Sequence, residues 1–394
     1  MSDRPIYLDH HSTTPVDPRV LQEMLPWFSE KFGNASSIGH TFGEEAREAV
    51  ESAREQIASL VGAEPREIVF TSGATESNNL ALKGVMLAHP PGSHLIVAAG
   101  EHRAVLDPAD RLARLGYRVT KVPVDSTGQI SPESIAAAIE DQTVLVSVMW
   151  ASHEVGTINP VEAIGRLCDE RNLLFHCDAV QAAGKIPVDA RRTPVDLLSI
   201  SAHKLYGPKG VGALFVRRGI RRIPLVPQID GGGQEQNYRS GTLPVPLIVG
   251  FGAACEIAER EMPEEATRLG KLRDRLWNGL QRELDGLHRH GHPAECLPHN
   301  LNVGFEDVDG DALLAGLHAS IAVSTGSACT SSDPEPSAVL RAMGVPDRLA
   351  RASLRFGLGR NNTKEEIDRA VVQVVNVVRR LRSRQNPAEQ ASST

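Results

Sequence analysis

Alternating helical and strand-like segments between about residues 40 and 255, short apolar runs without polar alternation, and a change of texture after Phe251 together predict an α/β fold. That fold has a large, mostly parallel-sheet domain and a smaller α+β domain. The apolar runs lie at 68–70, 95–98, 144–149, 173–175, 197–200 and 211–216. A strand that is apolar throughout is covered on both faces, as in a parallel sheet flanked by helices. Ahead of the first run, Thr41 and Glu44 have the spacing of a capping box. Ala46, Val50, Ala53, Ile57 and Leu60 follow at steps of four and three, the period of a helix with one buried stripe. Past the change of texture, Leu269, Leu272, Leu276, Leu280 and Leu284 predict a long amphipathic helix. Thr363 and Glu366 predict the cap of another, with Ile367, Val371, Val374, Val378 and Leu381 on its inner face. The expected division is 14–258 for the large domain and 1–13 with 259–394 for the small one. Residues 386–394 are expected to be a frayed end.

Composition narrows the function classes. The 394 residues are 41% hydrophobic and 23% charged, as in ordinary globular chains, and the net charge of −7 gives no global basic field for direct nucleic-acid binding. The opening Met-Ser-Asp-Arg-Pro has no apolar core, and no run approaches bilayer-spanning length, so the expected location is the cytoplasm with no membrane contact. Five widely spaced cysteines, none in a C-x-x-C pair, argue against a disulfide framework or a structural zinc. His288, His290 and His292 read as a polar loop, and no metal site is expected.

In open α/β sheets, ligands gather where strands end at their carboxyl edge. Four elements fall at such places or beside them. Thr71-Ser72-Gly73-Ala74-Thr75-Glu76-Ser77 follows a strand and opens a helix, which offers unpaired N–H groups and a favourable dipole to a phosphate. Alone it reads equally well as a capped turn. Asp178, in His176-Cys177-Asp178-Ala179-Val180-Gln181, ends a strand and is placed to pair with a protonated pyridine nitrogen; its bland reading is a helix cap. Lys204, in Ser201-Ala202-His203-Lys204, ends the next strand, where an amine can form a Schiff base with an aldehyde; its bland reading is a surface lysine. Lys209, in a glycine-rich turn, is the rival lysine. His102 follows a fourth strand end, where an imidazole can stack on a ring and pass protons. Finally, residues 324–332, Ser-Thr-Gly-Ser-Ala-Cys-Thr-Ser-Ser, pack no core and predict a mobile loop that exposes Cys329 as a nucleophilic thiolate. Cys168 and Cys255 sit in helical patterns and are expected to be buried.

With Arg239-Ser240-Gly241-Thr242 and Leu354-Arg355-Phe356 added, these motifs resemble nearly end to end the NifS/IscS-type cysteine desulfurases, pyridoxal-phosphate enzymes of aspartate-aminotransferase-like fold (fold type I, class V). The resemblance implies pyridoxal 5'-phosphate as cofactor and L-cysteine as substrate, and a homodimer that passes sulfur to an acceptor protein. It implies that Lys204 binds the aldehyde and later takes the substrate α-proton, that Asp178 pairs with the pyridine nitrogen, that Gln181 contacts the phenolic oxygen and that His102 stacks on the ring. It places Ala74, Thr75, Ser201 and His203 on the phosphate, with Thr242 donated by the second subunit. Arg355 and Asn34 hold the substrate carboxylate, and Cys329 takes the sulfur as a persulfide. Two departures stand out. His153 replaces the usual asparagine before Glu154 and is expected to remain a cofactor contact with a titratable ring. The sequence after residue 385 does not resemble the segment with which iron–sulfur desulfurases dock their scaffold, so tRNA thiolation, DNA phosphorothioation and other sulfur pathways stay open. Other chemistries on the same scaffold, such as a selenocysteine lyase or a transaminase, are the nearest rivals. A non-catalytic protein that binds the cofactor is the rival of another class.

Overall fold

The computed structural model describes residues 4–219, 222–325 and 336–385. Among them are twelve strands: β1 (Ile6–Tyr7), β2 (Ile68–Thr71), β3 (His94–Ala98), β4 (Arg118–Val122), β5 (Thr143–Ser147), β6 (Leu174–Asp178), β7 (Leu197–Ser201), β8 (Gly212–Val216), β9 (Leu287–His290), β10 (Asn300–Phe305), β11 (Ile321–Ala322) and β12 (Ser353–Gly357). Seven form one sheet in the order β2-β8-β7-β6-β5-β3-β4. Its neighbours run parallel except at β8, which is antiparallel to both β2 and β7.

All six apolar runs lie on this sheet, and every residue of β2, β3, β6, β7 and β8 is buried. The run at 144–149 leaves the strand after Ser147, because the Met149 N–H turns to the Glu101 carboxyl. Strand β4 has no counterpart among the predicted runs. It is an edge strand that mixes exposed Arg118 and Lys121 with buried Val122, so no apolar run marks it.

Helices cover both faces. On one, Thr41–Leu60 buries Ala46, Val50, Ala53, Ile57 and Leu60 as the spacing requires. On the other, Ala74–Leu87 and Arg103–Arg114 bury Leu82, Met86, Val105 and Leu112. The cap of Thr41–Leu60 differs from expectation. His40 is the N-cap, its Nδ1 accepting the Gly43 N–H at 3.1 Å, and Thr41 is already helical. At Thr363 the box does form: the Glu366 N–H donates to Thr363 Oγ1 at 3.2 Å, and the Thr363 N–H to Glu366 Oε2 at 3.3 Å.

A second core lies under the antiparallel sheet β12-β10-β9, with helix Lys364–Gln385 and the pair β1–β11. Leu269, Leu272, Leu276, Leu280 and Leu284 pack there. The expected helix starts earlier than its leucines indicate. Val245–Glu283 is one helix of 39 residues that passes residue 258 unbroken, with Ile248, Phe251, Ala254 and Cys255 in the first core. Cys168 is also buried.

The histidine cluster is a correction. His288 and His290 lie on β9, not in a loop, and bond to Glu306 (2.7 Å) and Ser353 (3.1 Å). Among the described residues no group of histidine, cysteine and carboxylate side chains suits a metal ion. No helix there is long and apolar enough to cross a membrane.

Candidate active site

The carboxyl ends of β2, β3, β5, β6 and β7 open onto a cavity of about 560 Å³. Strand β6 ends on Asp178 and β7 on Ser201, and a single 3-10 turn, Ala202–Lys204, swings Lys204 over the same space. Asp178 is held at both oxygens: Asn78 Nδ2 donates at 2.7 Å and the Val180 N–H at 3.0 Å. Lys204 Nζ donates to the carbonyls of His11 and of Ser12 (2.7 Å for the latter). Lys209 also lines the cavity but is exposed, whereas Lys204 is half-buried.

At one end of the cavity, β2 turns through Ser72 and Gly73 into helix Ala74–Leu87. Gly73 is the N-cap, at φ +149°, and offers no side-chain cap, and a Cβ built there would meet nothing within 4 Å. Behind it Gly212 is required, since a Cβ at that position would lie 2.7 Å from the Gly73 Cα. The helix therefore presents bare N–H groups to open space, which suits an anion. His203 borders this end, with Nδ1 3.2 Å from Thr13 Oγ1; burial and the nearby lysines lower it to about 4. Glu76 is turned aside. Burial opposes its charge, but bonds from Arg239 Nε (2.9 Å) and the Ser72 N–H (2.8 Å) prevail and hold it below its usual range.

Over the middle of the cavity stands His102, the N-cap of helix Arg103–Arg114. Its Nδ1 accepts the Ala104 N–H at 3.0 Å, so the neutral ring carries its proton on Nε2. Burial, then the neighbouring His153, lowers it to about 4. The two rings meet edge to face at 5.0 Å, and His153 Nε2 lies 3.6 Å from Glu154 Oε1. His153 Nδ1 is buried without a hydrogen-bond partner.

The cavity thus gathers nine of the predicted positions: Ala74, Thr75, His102, His153, Asp178, Gln181, Ser201, His203 and Lys204. Arg355 is not among its lining residues but lies one contact away. Nη1 donates to the His153 carbonyl (2.9 Å), and Nη2 to Ser12 Oγ (2.8 Å) and Asp9 Oδ1 (3.0 Å). Asn34 is exposed and does not line this chain's cavity; its Oδ1 accepts the Ser36 N–H at 2.9 Å. Thr242 is also exposed and off this chain's cavity. Cys329 and its loop lie outside the described residues, as does the segment 386–394.

Sequence reasoning missed three supports. Asn78 is fully buried on the helix that starts at Ala74, and a polar residue on an inward helical face was the available signal. Glu101, beside His102, is buried with Oε2 unpartnered. Burial and the Asp178 charge push its carboxyl well above the usual range. The turn 9–12 carries acceptors for both Lys204 and Arg355, and only its distance in sequence hid it.

A profile of the aminotransferase class-V family matches residues 6–370. The chain belongs to that family. It is 54% identical over 379 residues to "Cysteine desulfurase IscS" of Anaeromyxobacter sp. (strain Fw109-5), covering 96% of this chain and 93% of that protein. Among solved structures it is similar to a "NifS-like protein", at 41% identity with a TM-score of 0.89 over 96% of this chain and 100% of the other. It is also similar to "SspA in complex with cysteine", at 38% identity with a TM-score of 0.80 over 90% and 98%. The family's cofactor is pyridoxal 5'-phosphate, and the residues present fit it. An open glycine N-cap, a fixed carboxylate at a strand end and the Lys204 amine all line one cavity.

Proposed function

We propose that the chain is a cysteine desulfurase, converting L-cysteine to L-alanine and leaving the sulfur as a persulfide on Cys329 for an acceptor protein. The observation that carries this reading is the placement of Lys204, Asp178 and the uncapped Ala74 helix on one cavity, in a chain 54% identical to a cysteine desulfurase. When bound, the cofactor supplies an electron sink for the substrate's Cα.

The chain's own residues do the rest. Lys204 holds the aldehyde and, once released, takes the Cα proton on Nζ. Asp178, locked by Asn78 and Val180, keeps a proton on the ring nitrogen. Gln181 and His153 would contact the ring oxygen, and His102 would stack on the ring. Ala74, Thr75, Ser201 and His203 hold the phosphate. Arg355 orients the substrate carboxylate from the rim. The Cys329 thiolate attacks the substrate sulfur: an S–S bond forms, the C–S bond breaks, and its electron pair stays on carbon to be protonated as alanine.

Thr242 reaches the phosphate of a second copy in a homodimer, and residues 259–394 with 1–13 form the smaller unit. The exposed apolar side chains Leu25, Phe28, Phe32, Ile38 and Phe42, close in sequence, support a covered face of this kind. The net charge of −7 supports a protein that does not bind nucleic acid directly.

Borohydride reduction followed by peptide mapping tests the reading. The reduced adduct is expected on Lys204, with sulfide released from L-cysteine and a thiol reductant by the wild type and not by Cys329→Ala. An adduct on Lys209, or sulfide release undiminished in C329A, overturns it.

A further inference from the structure

We propose that His11 is a positioning residue that fixes the side-chain amide of Gln181 with an N–H toward the cavity, and so lowers the proton affinity of the cofactor's ring oxygen. The inference rests on the reading above in which Gln181 contacts that oxygen.

The direction of each hydrogen bond is forced. Gln181 contacts the His11 main-chain carbonyl at 3.1 Å, and a carbonyl only accepts, so the contacting atom is Nε2. That places Gln181 Oε1, an acceptor, 2.9 Å from His11 Nδ1, which must therefore carry the ring proton. The other ring nitrogen, Nε2, lies 3.1 Å from Asn300 Nδ2 and is left as the acceptor. The second Asn300 N–H is also committed, to the Glu154 carbonyl at 3.1 Å. A one-way chain of donors thus runs from Asn300 on β10 through the imidazole to Gln181, whose remaining Nε2–H has the cavity to point into.

The surroundings keep this tautomer in place. His11 is buried and stacks on His299 with centroids 4.4 Å apart and planes 10° apart. Burial, His299 and the positive charges of Arg355 and Lys204 keep the ring neutral, well below the ordinary histidine range. With Asn300 donating to Nε2, the neutral ring must present its Nδ1–H to the amide and so selects Oε1 there, whereas an apolar side chain selects neither atom. The alternative orientation of Gln181 would aim a carbonyl oxygen at an oxygen that must carry negative charge.

The test compares two side chains of nearly equal size. His11→Asn keeps a donor for Gln181 Oε1. His11→Leu removes it and leaves Oε1 buried without a partner, so that only the main-chain carbonyl of residue 11 still orients the amide. In the loaded enzymes, the pH midpoint of the lysine-bound cofactor's absorbance is expected to rise by about 0.5 unit or more in H11L and to stay within about 0.2 unit of wild type in H11N. Equal midpoints in wild type, H11L and H11N overturn the inference and leave the Gln181 reading standing. No borohydride-sensitive band in the wild type sinks that reading itself. Should H11L fail to fold, nitrogen-15 NMR of histidine-labelled wild type against H11N decides the matter. A neutral Nδ1–H pattern that disappears in H11N supports the proposal, and an Nε2–H pattern for that residue overturns it.

Discussion

The floor of the cavity and its rim are built in different ways. On the floor, Asp178, Ser201 and Lys204 sit at or just past the ends of strands whose every residue is buried, and Asp178 is held from the helix on the same sheet, by Asn78. On the rim, Arg355 belongs to β12 and bonds to Asp9, 346 residues away in sequence, and to the His153 carbonyl. The strand ends of the floor are fixed by one core, and only the Lys204 amine reaches beyond it, to the carbonyls of His11 and Ser12. The rim exists only where two cores meet. Chemistry that tolerates no displacement belongs on the floor, and groups that select and orient the substrate belong on the rim.

The largest effect that would break this contrast is at Lys204. Lys204→Ala is expected to lower sulfide release on the order of 10³-fold, because no rim residue supplies the base. Activity carried by Lys209, which borders the same cavity, would show instead that the floor is not specified to one amine.

At the rim, Arg355→Ala is expected to raise the KM for cysteine by about 10- to 100-fold, the worth of charge-assisted hydrogen bonds, with kcat changed only a few fold. Steady-state kinetics check this. A fall in kcat at constant KM would move Arg355 into the chemistry and erase the contrast.

Acid sharpens the comparison through stability. His102 on the floor is lowered to about 4 and His176 on β6 to about 3, both chiefly by burial; His10 and His290 are lowered to about 4. Between pH 6.5 and 4 the unfolded chain binds protons at these sites that the folded chain does not, so stability falls as pH falls. Each histidine contributes up to about 1.4 kcal/mol per pH unit in that window. Urea midpoints at pH 7 and pH 5 measure the slope, and a flat profile would mean that these rings are protonated in the folded state.

The smallest effect is expected at His153→Asn. The fold should be unchanged to within about 0.5 kcal/mol, as for a half-buried side chain with no partner on Nδ1, while the pH dependence of the cofactor's absorbance flattens. An unaltered spectral titration would show that this ring faces away from the cofactor.

Most of the floor was legible in the sequence because burial on both sides leaves a run of apolar residues that stops abruptly, and the chemistry begins at the stop. The strand-end positions of Asp178 and Lys204 follow from that rule, and their roles from the resemblance. The rim was not legible in that way. Nothing local connects Asp9 or Ser12 to Arg355, and the position of Arg355 in a short apolar strand is ordinary; resemblance supplied it. Resemblance also named Asn34, which the fold leaves exposed and off this chain's cavity. Strand β4 and the His40 cap escaped for a different reason. A polar edge strand and an imidazole cap use groups that pattern reading assigns to surface.

At 1.5 Å per residue, the 39-residue helix Val245–Glu283 is a strut about 58 Å long. Its leading turns are cemented into one core and its trailing turns into the other. Neither half of the molecule can be excised without stripping a wall from its neighbour. The enzyme should therefore resist dissection into fragments and melt as a unit, its two cores sharing one fate.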